Sequence, residues 1–188
     1  MILETIVITW DLQGVPHIAP MGIHTDDRSI TILPFRPSRT LDNLVSVGQA
    51  VINATDDVRV FAGCLTGHRD WPLVACRHVS GYRLRDALAH TEVELKWIQE
   101  DPIRPKLHCQ SIHSASHAPF KGFNRAQHAV LEAAILVSRL DRLPWQKVET
   151  ELAYLRIAVE KTAGPREQEA WKWLMEKINQ FKSDLENS

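Results

Sequence analysis

The chain has 188 residues, of which 44% are hydrophobic and 24% charged, as expected for one folded domain or for one domain with a packed appendage. The formal net charge of −1 gives no positive field that would indicate nucleic-acid binding. No apolar run approaches the ~20 residues that a membrane span needs, so we predict no membrane partner. Three cysteines without a CxxC pair favour reduced thiols and a cytoplasmic location, and the N-terminal residues lack the pattern of a signal peptide.

The first part of the chain is predicted to be mainly β-structure. Glu4–Trp10 is typical of a buried strand, and a hairpin turn leads into the return strand Val15–Ile23. Pro16 and Pro20 interrupt the return strand, and proline has no N–H to give to a neighbour. We therefore expect an irregular edge with available backbone groups near Ala19–Gly22. A strand end that bends into solvent is the alternative.

The stretch Ile30–Asn53 predicts a strand, a loop, a short helix and a second strand. Pro34 and Pro37 end the first strand, and the helix is predicted to end near Val47, before Gly48. Arginines and hydroxyls directly before a helix N-terminus predict an anion site. These residues are Arg36, Ser38, Arg39 and Thr40, and the candidate N-caps are Ser38, Thr40 and Asp42. An ordinary capped surface turn is the alternative.

The middle of the chain contains two further predicted strands. Val58–Leu65 is compatible with a strand or with a buried helix. Thr91–Gln99 alternates apolar and charged residues, with Trp97 on the apolar face, and Lys106–His113 follows after a short turn. These two segments predict an antiparallel hairpin. Counting about six to seven strands joined mostly by short turns, we expect a small antiparallel barrel.

The composition changes at the loop Ser114–Gly122, and the remaining sequence predicts three helices. Asn124 is the expected N-cap of the first helix, whose apolar residues recur at three- and four-residue spacing. Pro144 and Pro165 suit the first turns of the other two helices, and Gly164 separates them.

The nine histidines do not predict a metal site. His108, His113 and His117 are the densest group, but the odd separation of the first two places them on opposite faces of a strand. No HExxH or CxxC motif is present, so hydrogen-bonding histidines are the favoured interpretation. His128 lies one helical turn from Asn124, where it either borders a ligand pocket together with Arg125 or is exposed to water.

Three motifs carry a resemblance to a known family. They are the strand G-x-P-x-I-A-P-M-G at Gly14–Gly22, the loop R-P-S-x-T-x-x-N-L at Arg36–Leu44 and the helix start N-R-A at Asn124–Ala126. In this order they resemble the domain-of-unknown-function family numbered 447. More distantly, they are similar to FMN-binding split-barrel proteins of the flavin-reductase and pyridoxamine-phosphate-oxidase type.

The resemblance implies an α+β fold, with a six-stranded antiparallel split β-barrel in residues 1–120 and a C-terminal helical subdomain in 121–188 packed on the barrel. It also implies a homodimer with FMN at the interface. The phosphate and ribityl chain would contact the loop, the ring edge would contact the strand backbone, and Met21 or Phe35 would form an apolar floor. The implied cofactor-binding residues are Ala19, Pro20, Met21, Gly22, Phe35, Arg36, Ser38, Thr40, Asn43, Asn124, Arg125 and His128.

The function that follows is an FMN-binding flavoprotein, with a role as an oxidoreductase acting on an unidentified small molecule. The resemblance further suggests a link to tetrahydromethanopterin-type one-carbon metabolism. No GxSxG or GxGxxG motif is present, so no nucleophile is predicted, and any nicotinamide would dock transiently on bound flavin. No side chain is assigned as an acid or base. A non-catalytic protein that binds FMN or another phosphorylated cofactor is one alternative, and a scaffold without ligand is another.

Overall fold

The computed structural model describes residues 1–26 and 29–186. Within them, backbone contacts divide the chain into two compact units, Met1–Thr55 with Trp71–Phe120 and Asp56–Asp70 with Lys121–Ser188. No helix in the described part of the chain has the length and apolar character needed to cross a membrane. The elements in chain order are β1 (Ile2–Trp10), β2 (Pro16–Thr25), β3 (Ile30–Ile32), α1 (Arg39–Val47), β4 (Gln49–Ala54), α2 (Val58–Thr66), β5 (Leu73–Ala75), β6 (Tyr82–Leu84), β7 (Ala89–Gln99), β8 (Lys106–Ser116), α3 (Arg125–Val137), α4 (Trp145–Thr162) and α5 (Pro165–Glu186).

The first unit is a closed antiparallel barrel with the strand order β1-β2-β3-β8-β7-β4. β5 and β6 form a separate two-stranded sheet. The barrel confirms the predicted six-stranded antiparallel architecture, and the helices that follow it confirm the α+β class. Three of the six pairings, β1–β2, β2–β3 and β7–β8, join strands that follow one another in the chain, and these are the pairings that alternation and turn residues predict.

β1 is buried on both of its faces. Val7 packs in the barrel core, which also contains Leu44 of α1, whereas Trp10 packs against Val79 on the other side. Gly81 lies so close to the Trp10 ring that an added Cβ would be 2.1 Å from its nearest carbon. A side chain at this position would therefore have to displace the indole ring.

Two bulges in the β7–β8 hairpin change the predicted side-chain directions. The pairing shifts between Glu92 and Val93 on β7, where Ile112 is the extra residue on β8, and again around Lys96. A bulge adds one residue to one strand and so reverses the alternation beyond it. The expectation that odd spacing separates His108 and His113 is therefore wrong, because both lie on the outer face of the sheet.

Trp97 is a second correction on this hairpin. The bulge at Lys96 pairs Trp97 with His108, and the two rings stack with centroids 3.6 Å apart. Cys109, the neighbour of His108 on β8, points into the barrel core with Val93. Trp97 therefore leaves the predicted apolar face and is exposed on the outer side of the hairpin.

α1 begins and ends where the sequence predicts. Ser38 is the N-cap, with its Oγ accepting a hydrogen bond from the Leu41 N–H at 3.3 Å. Gly48 ends the helix in the left-handed conformation at φ 77°, a region that glycine adopts at low cost. The segment Val58–Leu65, for which strand and helix were both open, belongs to helix α2.

The second unit contains helices α2 to α5. Asn124 is the N-cap of α3, as predicted, and the apolar stripes of α4 and α5 are buried through residues such as Val148 and Leu174. Val58 and Ala62 of α2 belong to the same core. The segment Asp56–Asp70, which lies inside the predicted range 1–120, thus packs with the helices of 121–188.

Candidate functional site

The backbone of β2 has one edge that β3 covers only at its end. β1 pairs with β2 from Ile2–His24 to Trp10–Pro16, whereas β3 pairs only with Ile23–Thr25. Among the described residues, no strand pairs with the other edge of the half-buried stretch Ala19–Gly22. The Met21 carbonyl accepts a hydrogen bond from Thr5 Oγ1 at 2.9 Å. The open edge agrees with the prediction from Pro16 and Pro20.

The loop that follows β3 starts next to this edge. Ile32 pairs with Ile23, so the chain leaves the sheet beside Gly22. The loop is then held by the turn between β7 and β8: the Arg36 N–H donates to the Ile103 carbonyl at 2.9 Å, and Arg104 Nε donates to the Leu33 carbonyl at 3.1 Å. These two contacts keep the loop near the open edge of β2.

Three guanidinium groups belong to this region, those of Arg36, Arg39 and Arg104. Arg36 forms an ion pair with Glu100 at 2.9 Å, and both side chains are exposed, to 46% and 72%. An exposed pair of this kind contributes about 0–1 kcal/mol, so a doubly charged anion competes with it readily. Arg104 also lies over the Phe35 ring, 4.9 Å from its centroid. Arg104 was absent from the predicted set because it is distant from the loop in sequence.

The predicted phosphate residues of α1 fall into two groups. Ser38 caps the helix at the partly buried start of the loop. Thr40 and Asn43 are only 2% and 5% exposed, and Asn43 Nδ2 donates a hydrogen bond to Thr9 Oγ1 at 3.1 Å. Arg36 is therefore exposed and Ser38 half-buried at the helix start, whereas Thr40 and Asn43 point inward.

The remaining predicted residues belong to the second unit. Asn124 Oδ1 accepts hydrogen bonds from the N–H groups of Ala126 and Gln127 at 2.7 and 3.3 Å, and its Nδ2 donates to the Thr162 carbonyl at 3.1 Å. These bonds join the start of α3 to the end of α4. Asn124 thus has a structural role as the cap of this helix pair.

Arg125 and His128 are exposed on α3. They line a surface groove of about 160 Å³, together with Tyr154 and Ile157 of α4. His128 Nε2 lies 3.6 Å from the Glu132 carboxylate, one turn further along the helix. His128 is thus exposed and also borders a groove together with Arg125, and its contact with a ligand stays a prediction.

A polar cluster on the outer face of β7 was missed by the sequence reasoning. His90 and Glu92 are 6% and 1% exposed, and His90 Nε2 lies 3.2 Å from Glu92 Oε1. His90 Nδ1 lies 2.8 Å from His117 Nε2. Cys76 offers its Sγ to the same place, since one ligand atom from each of Cys76, His90 and Glu92 lies within 4.8 Å of the others. The signal in the sequence was the alternate spacing of His90 and Glu92 on one strand.

Glu92 is the acceptor at the centre of this cluster. Burial acts to raise its pKa, but hydrogen bonds from His90 and from backbone N–H groups outweigh burial and hold the pKa below its ordinary value. Its Oε2 accepts from the N–H groups of His78 and Val79 at 2.9 and 2.8 Å. Glu92 is thus a carboxylate that fixes the loop following β5.

The three cysteines are free thiols. Burial raises the pKa of Cys64 to about 11, against a smaller lowering by Arg69, and raises that of Cys109 to about 12. For Cys76, burial and then the charge of Glu92 raise the pKa to about 12. The reduced state of the thiols in the cell and the cytoplasmic location both stay predictions.

The barrel is shared with proteins of known structure. The FMN-bound protein MM1853 from Methanosarcina mazei has a TM-score of 0.80 at 20% identity, over 94% of each chain. The 2-nitrobenzoate 2-nitroreductase NbaA from Pseudomonas fluorescens has a TM-score of 0.52 at 18% identity, over 61% of this chain and 64% of its own. Nitrilotriacetate monooxygenase component B from Mycobacterium thermoresistibile has a TM-score of 0.54 at 12% identity, over 63% and 70%. The fold is therefore of the flavin-reductase-like split-barrel class.

Two family models match the sequence itself. The N-terminal domain of the "Protein of unknown function (DUF447)" family matches residues 3–118, and a second model, described as "Protein of unknown function (DUF447)", matches residues 124–176. The chain belongs to the DUF447 family, which confirms the resemblance carried by the three motifs.

Proposed function

We propose that this protein binds FMN in the first unit. One observation carries the proposal: the open backbone edge at Ala19–Gly22 lies beside a loop that offers guanidinium groups, a hydroxyl and a helix N-terminus. A phosphate requires directed donors with positive charge, and a flavin ring requires hydrogen bonds along its polar edge. The loop thus offers donors for the phosphate of FMN, and the open edge of β2 offers hydrogen bonds to its flavin ring.

The phosphate group is assigned to the start of α1. Arg36 and the Ser38 hydroxyl supply side-chain donors, and the first turn of α1 supplies N–H groups that the helix itself leaves without a partner. Arg39 and Arg104 add positive charge to the same side of the barrel. Thr40 and Asn43 are buried on the inner face of α1, so we assign them the role of holding the helix in place and not of contacting the phosphate.

The isoalloxazine ring is assigned to the edge of β2. Consecutive residues of a paired strand turn their backbone groups to opposite edges, so alternate residues within Ala19–Gly22 offer N–H and C=O groups to the open edge, and Pro20 can offer a carbonyl only. Met21 and the exposed Phe35 provide apolar surface for the ring. The FMN-bound relative in the same family supports this assignment. Contacts of Asn124, Arg125 and His128, which belong to the second unit, with the cofactor stay a prediction from the resemblance.

The proposed activity is that of an oxidoreductase acting on a small molecule. When bound, FMN supplies the electron-transfer chemistry, and the protein binds the cofactor and shapes the space for a second substrate. The neighbours that include a nitroreductase and a monooxygenase component support a redox role. The link to tetrahydromethanopterin-type metabolism makes reduced pterins the first substrates to screen. A non-catalytic FMN carrier is the second candidate function, because the same hydrogen-bond donors would bind FMN in a protein without turnover.

The binding proposal is tested by titrating flavin-free protein with FMN and following flavin fluorescence. We expect Arg36→Ala and Ser38→Ala each to weaken binding by about 1.5–3 kcal/mol, because each removes a hydrogen bond to a charged group. Glu100→Ala should strengthen binding, because it releases Arg36 from its ion pair. Arg85→Ala is the matched control, since Arg85 forms a similarly exposed pair with Asp86. Equal affinity in Arg36→Ala, Ser38→Ala and the control would reject this loop as the phosphate site.

Turnover is tested separately on the FMN-loaded protein. Bleaching of the flavin by NADH or NADPH, with recovery in air, would support the oxidoreductase. Tight binding without reduction by any of a panel of donors, including reduced pterins, would favour the carrier.

We also propose that the protein is a homodimer with FMN at the interface. The exposed Phe35, beside the loop, is the kind of apolar residue that a second subunit would cover. Sedimentation of the FMN-loaded protein should give a dimer, and a monomer that binds FMN tightly would contradict this arrangement.

A further inference from the structure

The outer face of β7 carries a group of metal-binding side chains that the proposed FMN site does not use. His90 and Glu92 occupy alternate positions of β7 and point to the same face, and Cys76 lies just after β5. One ligand atom from each lies within 4.8 Å of the other two. Imidazole, carboxylate and thiol groups from three separate positions thus converge on one place.

The distances suit a small tetrahedral ion. Bond lengths of about 2.0–2.3 Å place neighbouring donors roughly 3.3–3.7 Å apart in a zinc site. His90 Nε2 and Glu92 Oε1 are 3.2 Å apart, and the Cys76 sulfur lies within 4.8 Å of both, so metal binding would draw the sulfur toward them by a side-chain adjustment. His90 and Glu92 are both almost fully buried, so their donor atoms are already withdrawn from bulk water.

The surroundings of the cluster orient these donors. Glu92 Oε2 accepts hydrogen bonds from the N–H groups of His78 and Val79, whereas Oε1, which lies next to His90 Nε2, accepts a single longer one from the Arg77 N–H at 3.4 Å. His90 Nδ1 lies 2.8 Å from His117 Nε2, so His117 is an acceptor for the Nδ1 proton when Nε2 binds a metal. Metal-bound histidines typically have such a partner on the second ring nitrogen.

We propose that Cys76, His90 and Glu92 bind a zinc-class divalent cation, with His117 as the positioning residue for His90. The mixed sulfur, nitrogen and oxygen donor set favours zinc over magnesium or calcium, which prefer oxygen alone. Three protein ligands leave a fourth position for water or for a substrate atom, which is the pattern of catalytic zinc sites. The ring of His113 lies beside the cluster, 5.8 Å from that of His90.

The experiment uses the full-length, tag-free protein, freed of flavin and metal, under anaerobic conditions. Co²⁺ is the probe, because it reports tetrahedral geometry and shows a thiolate-to-metal charge-transfer absorption when a cysteine binds it. As the Co–S bond forms, the Cys76 thiol releases its proton to the buffer. We expect one Co²⁺ per chain with the thiolate band, and displacement of Co²⁺ by Zn²⁺ at one equivalent.

Variants assign the band to the named residues. Cys76→Ser should abolish the thiolate band and weaken Zn²⁺ binding by more than about 100-fold, while His117→Ala should weaken it by about 10–100-fold and keep the band. Cys109→Ser is the matched control, since Cys109 is the cysteine of the same sheet that does not belong to the cluster.

Three outcomes would overturn the proposal. The first is that wild-type protein shows no stoichiometric Co²⁺ binding, in which case the cluster is a hydrogen-bonded Glu–His pair only. The second is Co²⁺ binding without a thiolate band, and the third is a band that Cys109→Ser removes and Cys76→Ser leaves intact. The wild-type measurement decides the first two even where a variant fails to fold.

Discussion

Asn43 is held by one buried hydrogen bond, in which its Nδ2 donates to Thr9 Oγ1 at 3.1 Å. Thr9 is on β1 and Asn43 is on α1, so this bond connects the helix to the barrel wall. Both groups are buried, and an amide or hydroxyl that loses its partner in such a place carries a desolvation cost. The bond therefore fixes the helix whose first turn is assigned to the phosphate.

Replacing Asn43 separates its structural role from the ligand contact that the resemblance implies. We expect Asn43→Ala to lower the free energy of unfolding by about 1–3 kcal/mol, because Thr9 loses its donor. The double variant Thr9→Val/Asn43→Ala should cost less than the sum of the single changes. Denaturant unfolding measures both, and FMN titration should show an affinity close to wild type. If the folded Asn43→Ala variant binds FMN ten times more weakly than wild type, Asn43 contacts the cofactor as the resemblance implies.

At the scale of elements, the turn between β7 and β8 supports the loop after β3. Asp101 Oδ1 accepts hydrogen bonds from the N–H groups of Ile103 and Arg104 at 2.8 and 2.7 Å. The same two residues contact the loop, through the Ile103 carbonyl and Arg104 Nε. Asp101 thus organises the surface on which the proposed phosphate loop rests.

The turn should respond to acid in a defined direction. The backbone hydrogen bonds from Arg104 and then Ile103 lower the pKa of Asp101 below its ordinary value of 3.8. Since the folded-state pKa is depressed, its stabilising contribution is present above the unfolded pKa and is lost as the pH falls through the folded pKa. Asp101→Asn should therefore be less stable than wild type at neutral pH, with the difference shrinking in acid. Unfolding curves at several pH values measure this, and a pH-independent difference would contradict it.

At the scale of the whole molecule, the helical unit is assembled from two separated stretches of sequence. α2 contributes Val58 and Ala62 to the core that α3, α4 and α5 build. Arg59 of α2 also bonds Glu169 of α5 at 3.1 Å. The 121–188 stretch therefore lacks part of its own core when α2 is removed.

A fragment experiment tests this organisation. We expect 121–188 alone to unfold with low cooperativity, because burial of Val58 by itself is worth about 1.5–3 kcal/mol. Adding a synthetic peptide of residues 56–70 should raise its helicity and its melting temperature, measured by circular dichroism. A peptide carrying Val58→Asp and Ala62→Asp is the control and should have no effect. Cooperative unfolding of 121–188 that the peptide leaves unchanged would show that α2 is dispensable.

Much of the fold was determined by local sequence. Ser38 and Gly48 bound α1 because a cap and a left-handed glycine act within one turn of the helix that they delimit. β2 pairs with β1 through Pro16 and Pro20 without a break, and its other edge is open as expected, because a residue without an N–H cannot donate to a further strand. Caps and prolines act only on residues close to them in the chain, so a single sequence is enough to interpret them. The order of the three motifs along the chain then indicated the family.

Other features were decided only by the tertiary structure. The inward direction of Asn43, the approach of Arg104 to the loop and the meeting of Cys76 with His90 each join residues far apart in the chain. The bulge at Ile112 belongs to the pairing of two strands, and it reversed a side-chain direction that simple alternation predicts. Local sequence patterns determine which helices and strands form. The packing of distant elements determines which of their side chains come into contact, and both candidate sites are built from residues that are brought together in this way.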